Sequence, residues 1–453
     1  MDLKDKRVLV FGAGISGIGA VSLLCEKGAQ PILYDSRETL DTEEVRRRLG
    51  SGARRTPILC GDFSVPVEEL DLAVLSPGVP TDLPAVRKMK DRGLKIWGEV
   101  ELAYQCSAGS VLAVTGTNGK TTTTSLLGEI MKAHQDNTFV VGNIGTPYTQ
   151  EALKMNKNSV TVAEISSFQL ETIDQFHPKC SAILNLTPDH LDRHHTMEEY
   201  IRVKERIAEN QTEEDVCVLN YEDPALRAFG EKIAPQVLYF SSAHKLKKGL
   251  WLENGKIFYG DGTHAVPVID TADLRILGRH NWENAMAAAG MALAFGVPVK
   301  TVADALARFQ AVEHRIEFVC EKKGVAYYND SKGTNPDAAT KGIQAMNRPT
   351  LLIGGGFDKG SSYEEWIDSF DGKVKYLVVL GQTREKIARA ARERGFTDIL
   401  MADSLEEAVK LSADRAEPGD AVLLSPACAS WDMFPNYEVR GRRFKELVGE
   451  LEG

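Results

Sequence analysis

The sequence predicts an α/β fold of three domains, each built on a parallel sheet covered by helices. Short apolar runs alternate with helix-period patterns through most of the chain, the mark of strand–helix–strand units. A length of 453 residues exceeds what one core ordinarily serves, at about 150 residues per domain. Charged and apolar fractions are those of a folded globular protein, without a fibrous or disordered bias.

The first block opens on the strand Arg7-Val8-Leu9-Val10-Phe11 and runs to about Trp97; its later strand, Leu72-Ala73-Val74-Leu75, leads into the turn Ser76-Pro77-Gly78. The second begins with a helical stretch from Gly98 to Gln105 and the strand Val111-Leu112-Ala113-Val114. Val160 to Ala163 and Ala182 to Asn185 read as further buried strands, because such short apolar runs are too brief for helices. Over residues 237–277 the pattern turns hairpin-like. Asn254-Gly255 stands between Leu250-Trp251-Leu252 and Lys256-Ile257-Phe258-Tyr259, and Asn-Gly readily adopts the positive φ values of a tight turn. A helix from Val302 to Phe309 precedes the third block, which begins near Val312 and includes strands at Thr350 to Ile353, Tyr376 to Leu380 and Ala421 to Leu424. The domains expected are therefore 1–97, 98–311 and 312–453.

A net charge of −10 and a pI near 5.6 argue against a nucleic-acid partner, which would call for a basic face. The runs Arg46-Arg47-Arg48 and Lys245 to Lys248 read as solvated faces. The charged start, Met1 to Lys6, passes straight into a strand, so no secretion or transit signal is expected. The most apolar helical stretch, Ala285 to Phe295, is shorter than the roughly 18 residues of a membrane span. Seven scattered cysteines without a Cys-x-x-Cys read as reduced thiols. The expectation is a cytoplasmic protein with no nucleic-acid partner and no membrane insertion.

The strongest local signal is Thr115-Gly116-Thr117-Asn118-Gly119-Lys120-Thr121, between a strand ending at Val114 and a helix expected from Thr121. Glycines let backbone N–H groups close around phosphate oxygens, and a helix N-terminus adds positive potential. Lys120 would reach the terminal phosphates and a threonine hydroxyl would reach Mg²⁺. The spacing is a variant of G-x-x-x-x-G-K-[ST], since Val occupies position 114 and the first glycine is Gly116. A second signal, Gly12-Ala13-Gly14-Ile15-Ser16-Gly17, follows a strand and opens a helix, with Asp35 closing the next strand 18 residues beyond Gly17. It supports a nucleotide or diphosphate in the first domain; taken alone it suggests NAD, and a plain strand–helix turn also fits.

Glu164 follows the strand Val160 to Ala163, where a carboxylate can meet Mg²⁺ over a phosphate loop or simply cap the strand end. The segment Thr187-Pro188-Asp189-His190-Leu191-Asp192 leaves another strand at the same sheet edge, with His190 either a ligand or a surface residue. Asn281 and Asn284 sit three apart at a helix start, and their amides suit an adenine edge. His314-Arg315 and Asn329 to Pro336 add cationic and polar groups on loops, as site residues or as surface decoration.

In sequence order, Thr115 to Thr121, Glu164 to Glu171, His280-Asn281 with Asn284, His314-Arg315 and Asn329 to Asn335 resemble the motifs of the Mur ligase family, over the whole chain. The closing segment Leu424 to Asp432 resembles its D-glutamate-adding branch. The resemblance implies a Rossmann-like N-terminal domain for the UDP substrate, a central P-loop-type ATPase domain with a parallel sheet, and a C-terminal Rossmann-like domain for the amino acid. It places the UDP of UDP-N-acetylmuramoyl-L-alanine at Ser16, Asp35, Ser36, Arg37, Ser76, Pro77 and Gly78, with Asn143, Ser166 and His190 also on that substrate. ATP is implied at Gly116, Thr117, Asn118, Gly119, Lys120, Thr121 and Thr122, with Asn281 and Asn284 facing adenine and Arg315 and Asp330 on phosphate and ribose. Thr121, Glu164 and His190 match magnesium ligands, two ions being expected.

Lys204, which by itself reads as an exposed helical lysine, matches a lysine that the family carries as a carbamate. A neutral amine can capture CO₂ and present an anionic oxygen where a cation would repel Mg²⁺. D-glutamate is implied near Thr334, Lys359, Ser430 and Tyr437. Two departures stand out: Tyr437 occupies a place where Phe also occurs, and Gly354 to Lys359 is longer than in some relatives.

The activity implied is ATP-dependent amide-bond formation through an acyl phosphate in cytoplasmic peptidoglycan precursor synthesis, by a monomer, with Lys120, Lys204, His190 and Arg315 catalytic. Three other readings compete. An NAD-dependent oxidoreductase leaves the Lys120 loop unexplained, an ATP-regulated binding protein would lack ligase chemistry, and a different Mur-type or folylpolyglutamate-type ligase shares the loop but not the ending at Ser425 to Asp432.

Overall fold

A computed structural model describes residues 2–143, 145–310 and 313–452, residue 192 through its backbone alone, so the expected domain start at Val312 lies outside them. Two compact units form, Met1–Thr271 with Glu283–Ala307, and Ala272–Trp282 with Arg308–Gly453.

The first unit carries two sheets. One has the spatial order Ile58–Cys60, Gln30–Asp35, Arg7–Phe11, Leu72–Leu75, Ile96–Gly98, every neighbour parallel. Strand order reverses between Arg7–Phe11 and Leu72–Leu75, which opens a crevice at their C-terminal ends. The Gly12 turn leaves one of these strands and the Ser76 turn the other. The second sheet runs Thr138–Gly142, Val160–Glu164, Ser110–Thr115, Cys180–Ile183, Val216–Asn220, Gln236–Ser241 and Lys248–Glu253 in parallel, then Lys256–Asp261 and Ala265–Asp270 antiparallel. The expected hairpin is there, with Asn254 at φ 51° and Gly255 at φ 73°. One core joins the sheets, with Val10, Leu33 and Val74 from the first and Val111, Ala113 and Ala163 from the second.

The second unit holds the third sheet: Glu317–Lys322, Val325–Asn329, Ala421–Leu424, Thr350–Gly355, Val374–Leu380, Ile399–Met401, parallel but for the first pair. Side chains alternate between two buried faces, Ala326, Tyr328, Leu352 and Leu423 on one, Val325, Tyr327, Leu351 and Val422 on the other. Both faces are therefore apolar, and the loops at the C-terminal ends of three adjacent strands are left to carry polar groups.

Several sequence expectations shift. The strand expected at Ala182 to Asn185 is Cys180–Ile183, because Asn185 turns away to grip the Gly116 loop. The helix expected from Thr121 starts at Lys120, with Gly119 as its cap in the left-handed region. The apolar stretch at 285–295 lies largely within the helix Arg279–Ala294, and among the described residues no helix is long and apolar enough to cross a membrane.

Candidate active site

At the first sheet, the Gly12 turn is fixed by steric need and by Asp35. Gly12 has φ 103°, a Cβ there would fall 2.8 Å from Ser76, and one on Gly17 would fall 1.8 Å from the Gly12 carbonyl. Ser76 Oγ donates to that same carbonyl at 3.1 Å. Asp35 accepts the Ala13 N–H at 2.9 Å and a two-pronged contact from Arg37 Nε and Nη2. The Arg37 guanidinium, with these backbone bonds, holds the carboxyl down to about 2 against the cost of its burial. Asp35 thus braces the turn, while Ser36, Arg37 and Gly78 are exposed around it and Ser16 and Pro77 are half-buried.

The Gly116 loop sits between the ends of Val160–Glu164 and Cys180–Ile183. Asn118 and Asn185 exchange hydrogen bonds, the Asn118 N–H to Oδ1 at 2.8 Å and Asn185 Nδ2 to the Asn118 carbonyl at 3.1 Å. Thr117 Oγ1 donates to the Thr187 carbonyl and shares a 3.0 Å bond with Tyr200 OH. A Cβ on Gly119 would fall 2.2 Å from Asn284 Oδ1, so Asn284 packs directly on the loop. Thr121 is half-buried and Thr122 buried at the start of the helix. Lys120 Nζ folds back onto the Gly116 and Thr117 carbonyls at 2.9 Å.

Lys204 corrects its sequence reading. The side chain is 2% exposed, and its Nζ donates to the same Gly116 carbonyl at 2.9 Å. Burial first, then the nearby Lys120 charge, bring its pKa down to about 7, against the pull of Asp189 and Glu164. A good part of this amine is therefore neutral at physiological pH. Glu164 is buried; Oε1 accepts from Asn143 Nδ2 at 3.0 Å, and among the described residues Oε2 has no hydrogen-bond partner. A carboxylate oxygen left bare in the interior is costly, and a divalent cation is the chemistry that fits it.

His190 is 51% exposed by side chain, holds φ 52° and lies 4.9 Å from the Phe168 ring. Ser166 is used locally, accepting the Gln169 N–H in a capping box. Among the described residues the one cluster of three metal-type ligands is Glu313, His314 and Glu317; Glu164 and His190 belong to no such set.

In the second unit, Asn281 Nδ2 donates to the Leu277 carbonyl at 2.7 Å, and burial lowers the His280 pKa to about 4. His314 is buried at φ 66°; Asn329 Nδ2 lies 2.9 Å from its Nδ1, while its Nε2 has no hydrogen-bond partner among the described residues and lies 3.8 Å from Glu313 Oε1. Arg315 Nε is likewise buried and without a hydrogen-bond partner among the described residues, a donor suited to an anion. Asp330 lies inward, accepting Ser425 Oγ at 2.7 Å, with the Ile316 N–H at 3.3 Å, and burial raises its carboxyl to about 7. It anchors its loop from within.

Thr334 is half-buried, Lys359 exposed, Ser430 buried, and Tyr437 half-buried at a helix start. Lys359 Nζ stands 5.5 Å from the ring centroid of Trp431, which is 62% exposed. Their loops follow Val325–Asn329, Ala421–Leu424 and Thr350–Gly355, adjacent strands, so the sheet order brings three of these residues to one edge although they lie far apart in sequence.

Three family models match along the chain: "Mur ligase MurD-like, N-terminal domain" at 6–98, "Mur ligase middle domain" at 114–292, and "Mur ligase, glutamate ligase domain" at 314–428. UDP-N-acetylmuramoylalanine--D-glutamate ligase of Lachnoclostridium phytofermentans is 55% identical over 452 residues, covering all of both chains. The chain belongs to the Mur ligase family. Proteins of the same name from Lachnospira eligens and Clostridioides difficile are 54% and 46% identical, again over the full length of both chains. Among solved structures, UDP-N-acetylmuramate-alanine ligase MurC from Thermotoga maritima matches with a TM-score of 0.60 at 20% identity, over 98% of this chain and 99% of that one. MurF ligase from the same organism, in complex with ADP, matches with a TM-score of 0.59 at 19% identity, over 99% and 96%. These two share the fold. The family consists of ATP-dependent amino-acid ligases, and the chain is such an enzyme.

Sequence reasoning missed Asn185, Tyr200 and Asn143 as partners of the loop and of Glu164. Asn185 and Tyr200 have no motif of their own; Asn185 and Asn143 meet their partners where strand ends lie side by side, and Tyr200 reaches Thr117 from the helix Met197–Glu205.

Proposed function

We propose that the chain joins D-glutamate to UDP-N-acetylmuramoyl-L-alanine with ATP, in cytoplasmic peptidoglycan precursor synthesis, as a monomer. The observation that carries the reaction and its substrates is 55% identity, along the entire chain, to a ligase named for that addition. The division of labour is UDP substrate on 1–97, ATP on 98–311 and amino acid on 312–453. Ser16, Ser36, Arg37 and the Ser76 turn serve the uridine end, and Asn143, Ser166 and His190 the muramoyl end.

A free carboxylate does not acylate an amine at neutral pH, so the L-alanyl carboxylate oxygen first attacks the γ-phosphorus and ADP leaves. Lys120 moves from its own loop carbonyls to the transferring phosphoryl group, and Arg315 is the second cation proposed for it. Asn281 and Asn284 serve adenine, and Asp330 the ribose side through the loop it anchors. Thr121, Glu164, His190 and Lys204 as its carbamate would hold two Mg²⁺, which supply charge compensation on the phosphates. The bare Glu164 Oε2 and the buried, partly neutral Lys204 support that set. The D-glutamate amine, held by Thr334, Lys359, Ser430 and Tyr437, then attacks the acyl carbon, and inorganic phosphate departs with the former carboxylate oxygen.

The test is isotopic. With ¹⁸O in the L-alanyl carboxylate, one label should appear in the released phosphate; phosphate free of label would refute the acyl-phosphate route.

A further inference from the structure

Arg440, in the first turn of the helix Tyr437–Glu450, is 1% exposed and matches no motif noted above. Its guanidinium uses all five donors. Nε donates to Ser331 Oγ at 2.9 Å, Nη1 to the Cys428 and Ala429 carbonyls at 3.2 and 3.4 Å, and Nη2 to the Ser331 and Cys428 carbonyls at 2.9 and 3.2 Å. Among the described residues no carboxylate lies within ion-pair distance of it. Burial lowers its pKa to about 10, so it stays charged at neutral pH. A buried guanidinium without an ion-pair partner, with only the more distant Asp432 and Asp330 carboxylates offsetting its charge, is expensive, and a fold bears that cost where the fork geometry is needed.

Its acceptors lie on the loops that carry the proposed amino-acid contacts. Ser331 stands three residues before Thr334, and Cys428 and Ala429 immediately precede Ser430. Ser331 Oγ passes the connection on by donating to the Tyr437 carbonyl at 2.9 Å. The Ala429 carbonyl also accepts the Phe357 N–H at 2.9 Å, on the loop that carries Lys359. A Cβ on Gly356 would come within 2.3 Å of that carbonyl and 3.4 Å of Arg440 Nη1, so the loops meet with no room for a side chain. Ala427 holds φ 57°, a conformation that a non-glycine residue keeps only when its surroundings impose it.

We infer that Arg440 is a positioning residue for the incoming acidic amino acid, locking the loops of Thr334, Lys359, Ser430 and Tyr437 into one arrangement and setting a fixed positive charge beneath them. This rests on the proposed D-glutamate assignment. Lysine at 440 keeps the charge but offers three donors on one atom, which cannot span these acceptors.

The experiment compares wild type with Arg440→Lys in the full-length enzyme, measuring kcat and the KM for each of the three substrates by phosphate release, with thermal melting alongside. The expected result is cooperative melting, an ATP KM within about twofold of wild type, and a D-glutamate KM raised about 10–100-fold, with discrimination against D-aspartate reduced. A wild-type D-glutamate KM, or equal rises in all three KM values, would overturn the inference, the latter because it marks a general structural role. If Arg440→Lys does not melt cooperatively, Ser331→Ala decides. It removes the shared hydroxyl, and it should raise the D-glutamate KM alone by about three- to tenfold; an unchanged value overturns the inference. Should the wild type prefer another amino acid, the substrate assignment fails by itself, and the same comparison made with that amino acid still tests Arg440.

Discussion

The Gly116 loop and the loops after the third sheet both hold charged groups at a sheet edge, by different means. Around Gly116 the constraints, some from side chains distant in sequence, converge on one short stretch of backbone. Two positive-φ glycines, an Asn118–Asn185 exchange and two lysine ammonium groups on one carbonyl fix a seven-residue segment. After the third sheet the constraint is long-range and carried by side chains: Asp330 with Ser425, Asn329 with His314, and Arg440 across two loops. The first arrangement suits a phosphate, which any nest of N–H groups can receive; the second suits discrimination between similar amino acids, which requires groups at set distances.

The contrast predicts that damage at the first site costs turnover while damage at the second costs selectivity. The largest effect belongs to Lys120→Ala. It should leave melting unchanged and lower kcat by about 10²-fold or more, as when a preorganised charge is removed from a transition state. A folded variant with near wild-type turnover would break the comparison. Lys204→Ala should be similarly impaired and, unlike Lys120→Ala, partly restored by small carboxylates. Carbon-13 NMR of wild type under labelled CO₂ should show a carbamate resonance that the variant lacks, and its absence from an active wild type would remove Lys204 from the metal set.

How much of this the sequence discloses follows the same line. The Gly116 loop and the Gly12 turn are legible because glycine, lysine and strand pattern coincide within a few residues. Lys204 is not, since its burial depends on a carbonyl 88 residues away in the chain, and a helical lysine looks exposed without that contact. The order of three adjacent strands in the third sheet is equally hidden, so Arg440, over 100 residues from Ser331, carries no local signal. Resemblance to a family supplies Lys359 and Ser430, but not what holds them.

Smaller effects sharpen the contrast. Lys359→Ala should raise the D-glutamate KM by about tenfold and leave the ATP KM unchanged, a loss of roughly one charge-assisted hydrogen bond. Neighbouring Asp358 is already bound to Lys386 and so competes little for the Lys359 ammonium. An ATP KM that rises in parallel would show the two regions to be less separable than claimed.

The smallest effect concerns Asp330, whose carboxyl is raised by burial from 3.8 to about 7. For an acid with a raised folded pKa, its contribution to stability is whole below about pH 4 and is lost as pH rises through 7. Asp330→Asn should therefore flatten the fall in melting temperature over that window. A fall identical to wild type would assign the pH dependence to other groups.

The measurement that bears most directly on the central claim is ATP-dependent phosphate release with UDP-N-acetylmuramoyl-L-alanine and single amino acids in turn. Release should depend on both partners and be strongest with D-glutamate, with L-glutamate and D-aspartate far weaker, because changing chirality or removing one methylene moves amine and carboxylate off their fixed separation. Equal use of L-glutamate, L-lysine or meso-diaminopimelate would contradict it.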